Sequence, residues 1–456
     1  MSGKFPTQKN GAYAALLACL AVAPVMLGGN RTLAWSLLAL TVAVLVFGLL
    51  LADLRGRIQL VWNPRVTPVA ITTALVVASI VGSLIPGTPF TNSAWTDAEA
   101  ALGLDLRETV SINPSATTAA LVRLTSYIGT FWLALQFGRD PRSAISLLRW
   151  IGICGAVIAT YGIANYSTGN RHLLMFDRWA GIGDVTGTFV NRNHFATYAG
   201  LCALANAGMA TITYRKRWIN AAYLSNPAVR ALSAFSGKPA LYFLAASICV
   251  MGLFQSHSRM GMIAFIIGIL FAVGLLSSLG YFKADRLMAA ILSILLFAYL
   301  YISGLATLGR IAETSEIDRL PLFAMSLDAV GKVPWTGYGY GTFPDAILIH
   351  RPAGFGAGAD ITEAHNVYLE LAVELGWPMT IVWLAGMLWL FGCCLVGAFR
   401  RKRERIFPIV AASACVLVGV HGLTDFSLQI PAIAMTFAAL LGLGIAQSWS
   451  NRAHFE

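Results

Sequence analysis

The side chains best suited to chemistry fall in a few short segments. In AHNVYLELAVELGWP (364–378), His365 stands beside Asn366 ahead of a stretch with Ala364, Tyr368, Leu371 and Leu375 along one stripe. That spacing predicts a helix with Thr362 as its N-cap, His365 in its first turn and Gly376 just past its end. A helix N-terminus disfavours the imidazolium form, so His365 is expected to stay neutral and able to accept a proton near pH 7. A hydrogen-bonding histidine at an interface is the competing reading. Arg259 lies in SHSRMG, Arg192 and His194 in FVNRNHF, and Arg310 and Arg319 further along. A single arginine at a helix end commonly snorkels or pairs with an acid such as Glu316. Several together point to an anionic ligand, because a guanidinium fork grips phosphate oxygens in pairs.

HGLTDFSLQIP places His421 and Asp425 four residues apart, one above the other if the helix continues, with Gln429 and Pro431 opening the next apolar run. The pair could orient a substrate hydroxyl or simply cap a helix. The run GYGYGTF carries Tyr338 and Tyr340 between Gly337, Gly339 and Gly341, and Gly354, Gly356 and Gly358 follow; such glycines permit tight turns and close backbone approach to a ligand. No tight aspartate pair that would hold a divalent ion is found in these segments, although Asp318, Asp345 and Asp360 could converge. Neither a metal nor a cofactor is expected. The seven cysteines all lie in or at the end of apolar runs, which fits packing rather than a disulfide framework or a thiolate site.

The elements that must position these residues are set by composition. The 456 residues are 57% hydrophobic and 12% charged, half the usual ~25% for soluble proteins. A water-soluble globule is excluded. Runs of about 20 apolar residues recur, near 11–29, 33–52, 66–86, 119–138, 147–166, 193–213, 239–254, 260–280, 287–305, 377–398, 407–423 and 430–447. The expected fold is therefore an all-α polytopic membrane protein of about twelve transmembrane helices, one membrane domain over 1–456. The first run is read as a retained helix. The segment 306–376, between helices nine and ten, is expected to form a large helical periplasmic cap that carries much of the site. Its first helix should run from about Asp318 to Val330, with Leu320, Phe323, Ala324 and Leu327 on one face.

Lysine and arginine mark alternate loops, most clearly in Arg400, Arg401, Lys402, Arg403 and Arg405. Placing both termini in the cytoplasm puts 21 of the 32 basic residues and 5 of the 21 acidic ones inside. The basic excess then faces anionic membrane lipids, and nucleic acid is not an expected partner. Six of the seven histidines fall on the outward side.

SHSRMGM (256–262), RLPLFAMSLDAVGKVPWTGYGYGTF (319–343) and AHNVYLELAVELGWP (364–378) resemble, in order and approximate spacing, the outward-facing signature of the bacterial O-antigen ligase and O-antigen polymerase superfamily. GTFVNRNHFATY (187–198) and HGLTDFSLQIPA also look like segments of that family, so the resemblance covers roughly 187–432. It implies a GT-C-like, metal-independent, inverting glycosyltransferase at the outer face of the bacterial inner membrane. The donor would be a glycan on undecaprenyl diphosphate, and the acceptor a sugar hydroxyl on the lipid A core or on another lipid-linked repeat. By position, Arg259 and Arg319 match diphosphate-binding arginines and His365 an essential histidine. Arg192 is a departure, since many relatives carry other residues there. His194, Asn366, Tyr338, Tyr340, Asp425 and Gln429 complete the expected substrate-binding set. The tail HGLTDFSLQIPA looks more like polysaccharide polymerases than core ligases. The rival classes are a twelve-helix secondary transporter and a flippase for the same lipid-linked glycan; the large cap and the scarcity of mid-membrane charges argue against a transporter.

Overall fold

Small residues set the two helices at the centre of the bundle. The structure, a computed structural model, describes residues 11–281, 319–352 and 361–449. The run 287–305, Arg310, Glu316, Asp318, Gly354, Gly356, Gly358 and Asp360 lie outside the described residues. In chain order the helices are α1 (Gly11–Val25), α2 (Thr32–Leu54), α3 (Thr67–Gly82), α4 (Ser93–Leu102), α5 (Pro114–Phe137), α6 (Pro141–Ser167), α7 (Arg192–Asn220), α8 (Pro227–Phe235), α9 (Lys238–Gln255), α10 (Arg259–Ser278), α11 (Arg319–Lys332), α12 (Phe343–His350), α13 (Val367–Arg400), α14 (Ile406–His421) and α15 (Pro431–Ala446). A two-residue antiparallel hairpin, His172–Leu173 with Phe176–Asp177, sits between α6 and α7.

Each expected span outside 287–305 coincides with an apolar helix. Among the described residues eight helices are long and apolar enough to cross a membrane, and α1, α14 and α15 are shorter. Outer helices turn large apolar side chains outward: Leu33, Leu40, Val44 and Phe47 on α2, Leu241 and Phe243 on α9, Ile381 and Leu388 on α13. Water would penalise such a surface, whereas lipid does not. The chain is a multi-pass membrane protein.

α7 and α15 form the interior. Every residue of α7 from His194 to Asn206 is buried, as is every residue of α15 except Phe437. A Cβ on Gly155 would stand 2.0 Å from Cys202 Cβ, and one on Gly444 would stand 2.2 Å from Ala411 Cβ. Only glycine lets those helices approach so closely, which is how apolar helices gain packing without a hydrophobic force between them.

Two local expectations are corrected. α11 buries Leu322, Met325, Ser326 and Ala329, while Leu320 and Leu327 are 73% and 51% exposed. Both sides of this helix are apolar, so its periodicity did not single out the face that packs on α13. The expected helix after Thr362 starts later. Asn366 is its N-cap, with Oδ1 accepting from Tyr368 N (3.0 Å) and Leu369 N (3.1 Å), and Gly376, at φ 69°, is a break inside α13 instead of its end.

Candidate functional site

Three helices begin at the same place. Asn191, Ser258 and Asn366 are the N-caps of α7, α10 and α13. Ser258 Oγ donates to Asn193 Oδ1 at 2.8 Å, tying α10 to α7. The backbone N–H of Val367 donates to Gly422 O at 2.9 Å, and Tyr368 OH donates to Gly419 O at 2.6 Å, which hooks the start of α13 to the end of α14. The positive ends of three helix dipoles make the region favourable for an anion.

His365 precedes the Asn366 cap and is not in the first turn of the helix. Its φ is 51°, the left-handed region that non-glycine residues occupy at a cost of about 1–3 kcal/mol. The surroundings hold it there: Glu370 Oε2 accepts the backbone N–H of Ala364 at 3.1 Å, just upstream. His257 has φ 53° and likewise stands directly before a cap, Ser258.

Asp184 organises the start of α7 and α10. Its Oδ1 lies 2.8 Å from His257 Nδ1 and its Oδ2 lies 3.0 Å from Arg192 NH1. Burial alone would raise this carboxyl, but the hydrogen bond from His257 and the charge and hydrogen bond of Arg192 hold it below the usual carboxylate range. The loop bearing Asp184 is itself pinned. The buried Arg178 bonds Asn170 Oδ1, Thr186 Oγ1 (2.5 Å) and Ala180 O (2.9 Å), and Val185 N donates to Gln255 O at 3.0 Å.

Asp425 organises the other side. It is fully buried, accepts from Asn193 Nδ2 at 3.2 Å and bonds the Ser427 hydroxyl. Thr197 Oγ1 links Ser427 Oγ (2.8 Å) to His421 Nδ1 (2.6 Å). Burial raises the carboxyl, yet the fields of His194 and His421, the Ser427 hydroxyl and the field of His365 leave it below its ordinary value. α14 stops at His421 with Gly422 as C-cap, so His421 and Asp425 are not stacked on one helix; they meet through Thr197 and Ser427. Phe426 stands edge-on to both His194 (ring centroids 4.6 Å apart) and His365 (5.1 Å).

Arg192, His194, His365, Asn366 and Asp425 are thus brought together. Arg259, the exposed first residue of α10, follows the Ser258 cap. Arg319 is the first residue of α11, and the position of its guanidinium lies outside what the structure describes. Gln429 ends a short 3-10 turn, and its carbonyl accepts from Tyr127 OH at 3.4 Å. Tyr338 and Tyr340 are engaged elsewhere. Tyr338 is buried with its hydroxyl 2.5 Å from His350 Nε2, and His350 Nδ1 lies 3.4 Å from Asp328. Tyr340 packs beside Leu371 and Leu375, where burial and Glu374 push its hydroxyl well above the usual range. The glycines flanking these tyrosines approach the protein itself: a Cβ on Gly337 (φ +66°) would meet the Glu374 carbonyl at 2.4 Å, and one on Gly339 (φ +106°) would meet Ser111 Oγ at 2.6 Å. Their small size lets this loop seat against Glu374 of α13 and against Ser111.

The residues missed in the sequence are Asp184, Asn193, His257, Thr197 and Ser427. His257 and Asn193 sit inside segments already singled out, next to Arg259 and His194. Asp184 had only a weak signal, an acid in the glycine-rich run just before FVNRNHF.

Residues 244–384 match a family model described as O-antigen ligase. The segment is similar to O-antigen ligases. A stretch of 149 residues is 28% identical to the General O-oligosaccharyltransferase of Acinetobacter baylyi (strain ATCC 33305 / BD413 / ADP1), covering 31% of this chain and 25% of that protein. The chain therefore spans about a quarter of the length of the curated relative it matches. Both similarities support the O-antigen ligase and polymerase superfamily. The O-antigen ligase segment contains His257, Arg259 and His365, while Asp184, Arg192, His194 and Asp425 lie outside it.

Proposed function

We propose that this protein transfers a glycan from undecaprenyl diphosphate to a sugar hydroxyl at the periplasmic face of the bacterial inner membrane. In this reading it has twelve spans, cytoplasmic termini and a GT-C-like arrangement, works without a metal, and inverts the anomeric centre. The single observation that carries it is the convergence of three helix N-termini, the Arg192 and Arg259 positions and the His365 imidazole beside buried Asp425.

The chemistry follows from those groups. A periplasmic enzyme has no nucleotide to spend, so the energy must already reside in the donor, and a glycosyl diphosphate carries its own leaving group. His365 takes the proton of the acceptor hydroxyl as that oxygen attacks the anomeric carbon. The bond from the anomeric carbon to the diphosphate oxygen breaks, and the charge that grows on the diphosphate is met by Arg192, Arg259 and Arg319 and by the helix N-termini. A single displacement inverts the configuration. Asp184 and Asp425 keep Arg192 and the histidines oriented.

A ligase, a polymerase and an O-oligosaccharyltransferase share this donor and this need for a deprotonated hydroxyl; they part at the acceptor. Polymerase is the reading favoured by HGLTDFSLQIPA. Glycan profiling of a deletion strain tests it: single repeats on the surface core mark a polymerase, and an uncapped core with accumulated lipid-linked polymer marks a ligase. An unchanged glycan profile in the deletion strain would overturn the reading altogether. Full transfer after exhaustive chelation is expected, and recovery only on adding magnesium or manganese would overturn metal independence.

A further inference from the structure

A cavity of about 380 Å³ opens beside the histidines, within the ~300–1,000 Å³ range of small-molecule sites. Three loops wall it: Arg31 comes from the α1–α2 connection, Trp179 and Asn191 from the segment before α7, and Glu363 from the segment before α13. His194 and Phe426 form its inner wall. His194 is 6% exposed, and its Nε2 has no hydrogen-bond partner among the described residues, so a buried polar atom lines the cavity with capacity to spare.

The placement of the cavity relates it to the chemistry. Asn191 adjoins Arg192, Glu363 is two residues from His365, and Phe426, which lines the cavity, stands edge-on to the His365 imidazole with ring centroids 5.1 Å apart. Its lining matches a sugar. Trp179 is half exposed and offers an aromatic face on which the C–H edge of a pyranose can stack. The Arg31 guanidinium lies 5.7 Å from the centre of that ring. Glu363, Asn191 and His194 supply acceptors and donors for ring hydroxyls. Arg31 and Glu363 bring opposite charges to the lining, so the cavity has no net positive charge with which to hold the diphosphate of the carrier lipid.

We infer that this cavity binds the terminal sugar of the acceptor glycan and presents its hydroxyl to His365. The inference rests on the glycosyl-transfer reading and adds its acceptor subsite. Trp179 and Glu363 are then specificity-determining residues that touch the acceptor and leave the donor alone.

The test uses the full chain purified in detergent, with lipid-linked glycan from a deletion strain as donor and oligosaccharide released from the surface of that strain as acceptor. Trp179→Ala should raise the acceptor KM about tenfold, the size of one lost aromatic contact, with kcat and donor KM within about twofold. Trp179→Phe should recover most of the loss, and Glu363→Gln should raise the acceptor KM without moving the donor KM. Glu363→Gln carries the test if Trp179→Ala does not fold. Should the variants raise the donor KM instead, the cavity holds the sugar of the donor and the acceptor assignment falls. Unchanged acceptor KM in Trp179→Ala, or in Glu363→Gln where Trp179→Ala does not fold, would also sink it. If the wild-type protein releases no undecaprenyl diphosphate from the donor at all, the transfer reading fails, and the subsite with it.

Discussion

His257 and His365 occupy the same backbone position on two different helices: each is a left-handed residue immediately before an N-cap, Ser258 on α10 and Asn366 on α13. The left-handed turn sets each imidazole just ahead of the helix that follows. One ring leans on Asp184 and the other on Phe426. A histidine is among the few non-glycine side chains that tolerate this conformation, so the local geometry selects the residue type as well as the chemistry.

Replacing the base and the clamp should separate two effects. His365→Ala is expected to lower kcat by about 10²–10⁴-fold, the usual contribution of a positioned acid–base group. Arg259→Ala should cost a few hundredfold, about 3 kcal/mol of barrier, and Arg259→Lys should restore only part because an ammonium lacks the fork. Initial rates with purified full-length protein check both, and wild-type rates in His365→Ala would exclude the mechanism.

Asp184→Asn should act through the residues it holds. It keeps the size of the side chain but weakens the grip on His257 and Arg192, so transfer should fall about tenfold with donor binding affected more than acceptor binding. Arg178→Met, which removes hydrogen bonds to Asn170, Thr186 and Ala180, should destabilise the same loop by about 1.5–3 kcal/mol and expose it to protease. Limited proteolysis with fragment mass analysis reads out the second effect.

Acid should loosen the site in a defined window. The folded-state values of Asp184 and Asp425 are depressed, so their stabilising contribution is complete above the unfolded value of about 3.9 and is lost as pH falls through the lower folded values. Thermal unfolding midpoints in detergent should therefore drop below about pH 4, and Asp184→Asn should show a shallower drop.

Two glycines between residues 319 and 343 should respond in opposite ways. Gly337→Ala drives a Cβ to 2.4 Å from a backbone carbonyl at a left-handed position and should destabilise by roughly 2–5 kcal/mol. Gly331 lies inside α11 with nothing within 4 Å, so Gly331→Ala should stabilise by about 0.4–1 kcal/mol. Paired melting curves distinguish them.

The helices were legible because a run of about 20 apolar residues has few other destinations, and the histidine and arginine segments because such residues at the ends of apolar runs are unusual. What stayed hidden depended on contacts between distant residues. Thr362 and Asn366 are both good caps, and the hydrogen bond from the backbone N–H of Ala364 to the Glu370 carboxylate, which forms only once α13 has started at Val367, favours the second. Leu320 and Leu322 are equally apolar, so the buried face of α11 is fixed by α13 and not by α11 itself. Asp184 belongs to a loop without periodicity, and its importance comes from partners 8 and 73 residues away.

α15 is the last described helix to leave the ribosome, yet it occupies the middle of the bundle. The helices made before it must wait in the membrane with an unfilled slot, and the final shape closes only once residues 431–446 slide in. A premature stop before Pro431 would thus do more than shorten the protein: it would withhold the keystone, and quality-control proteases should clear the remainder.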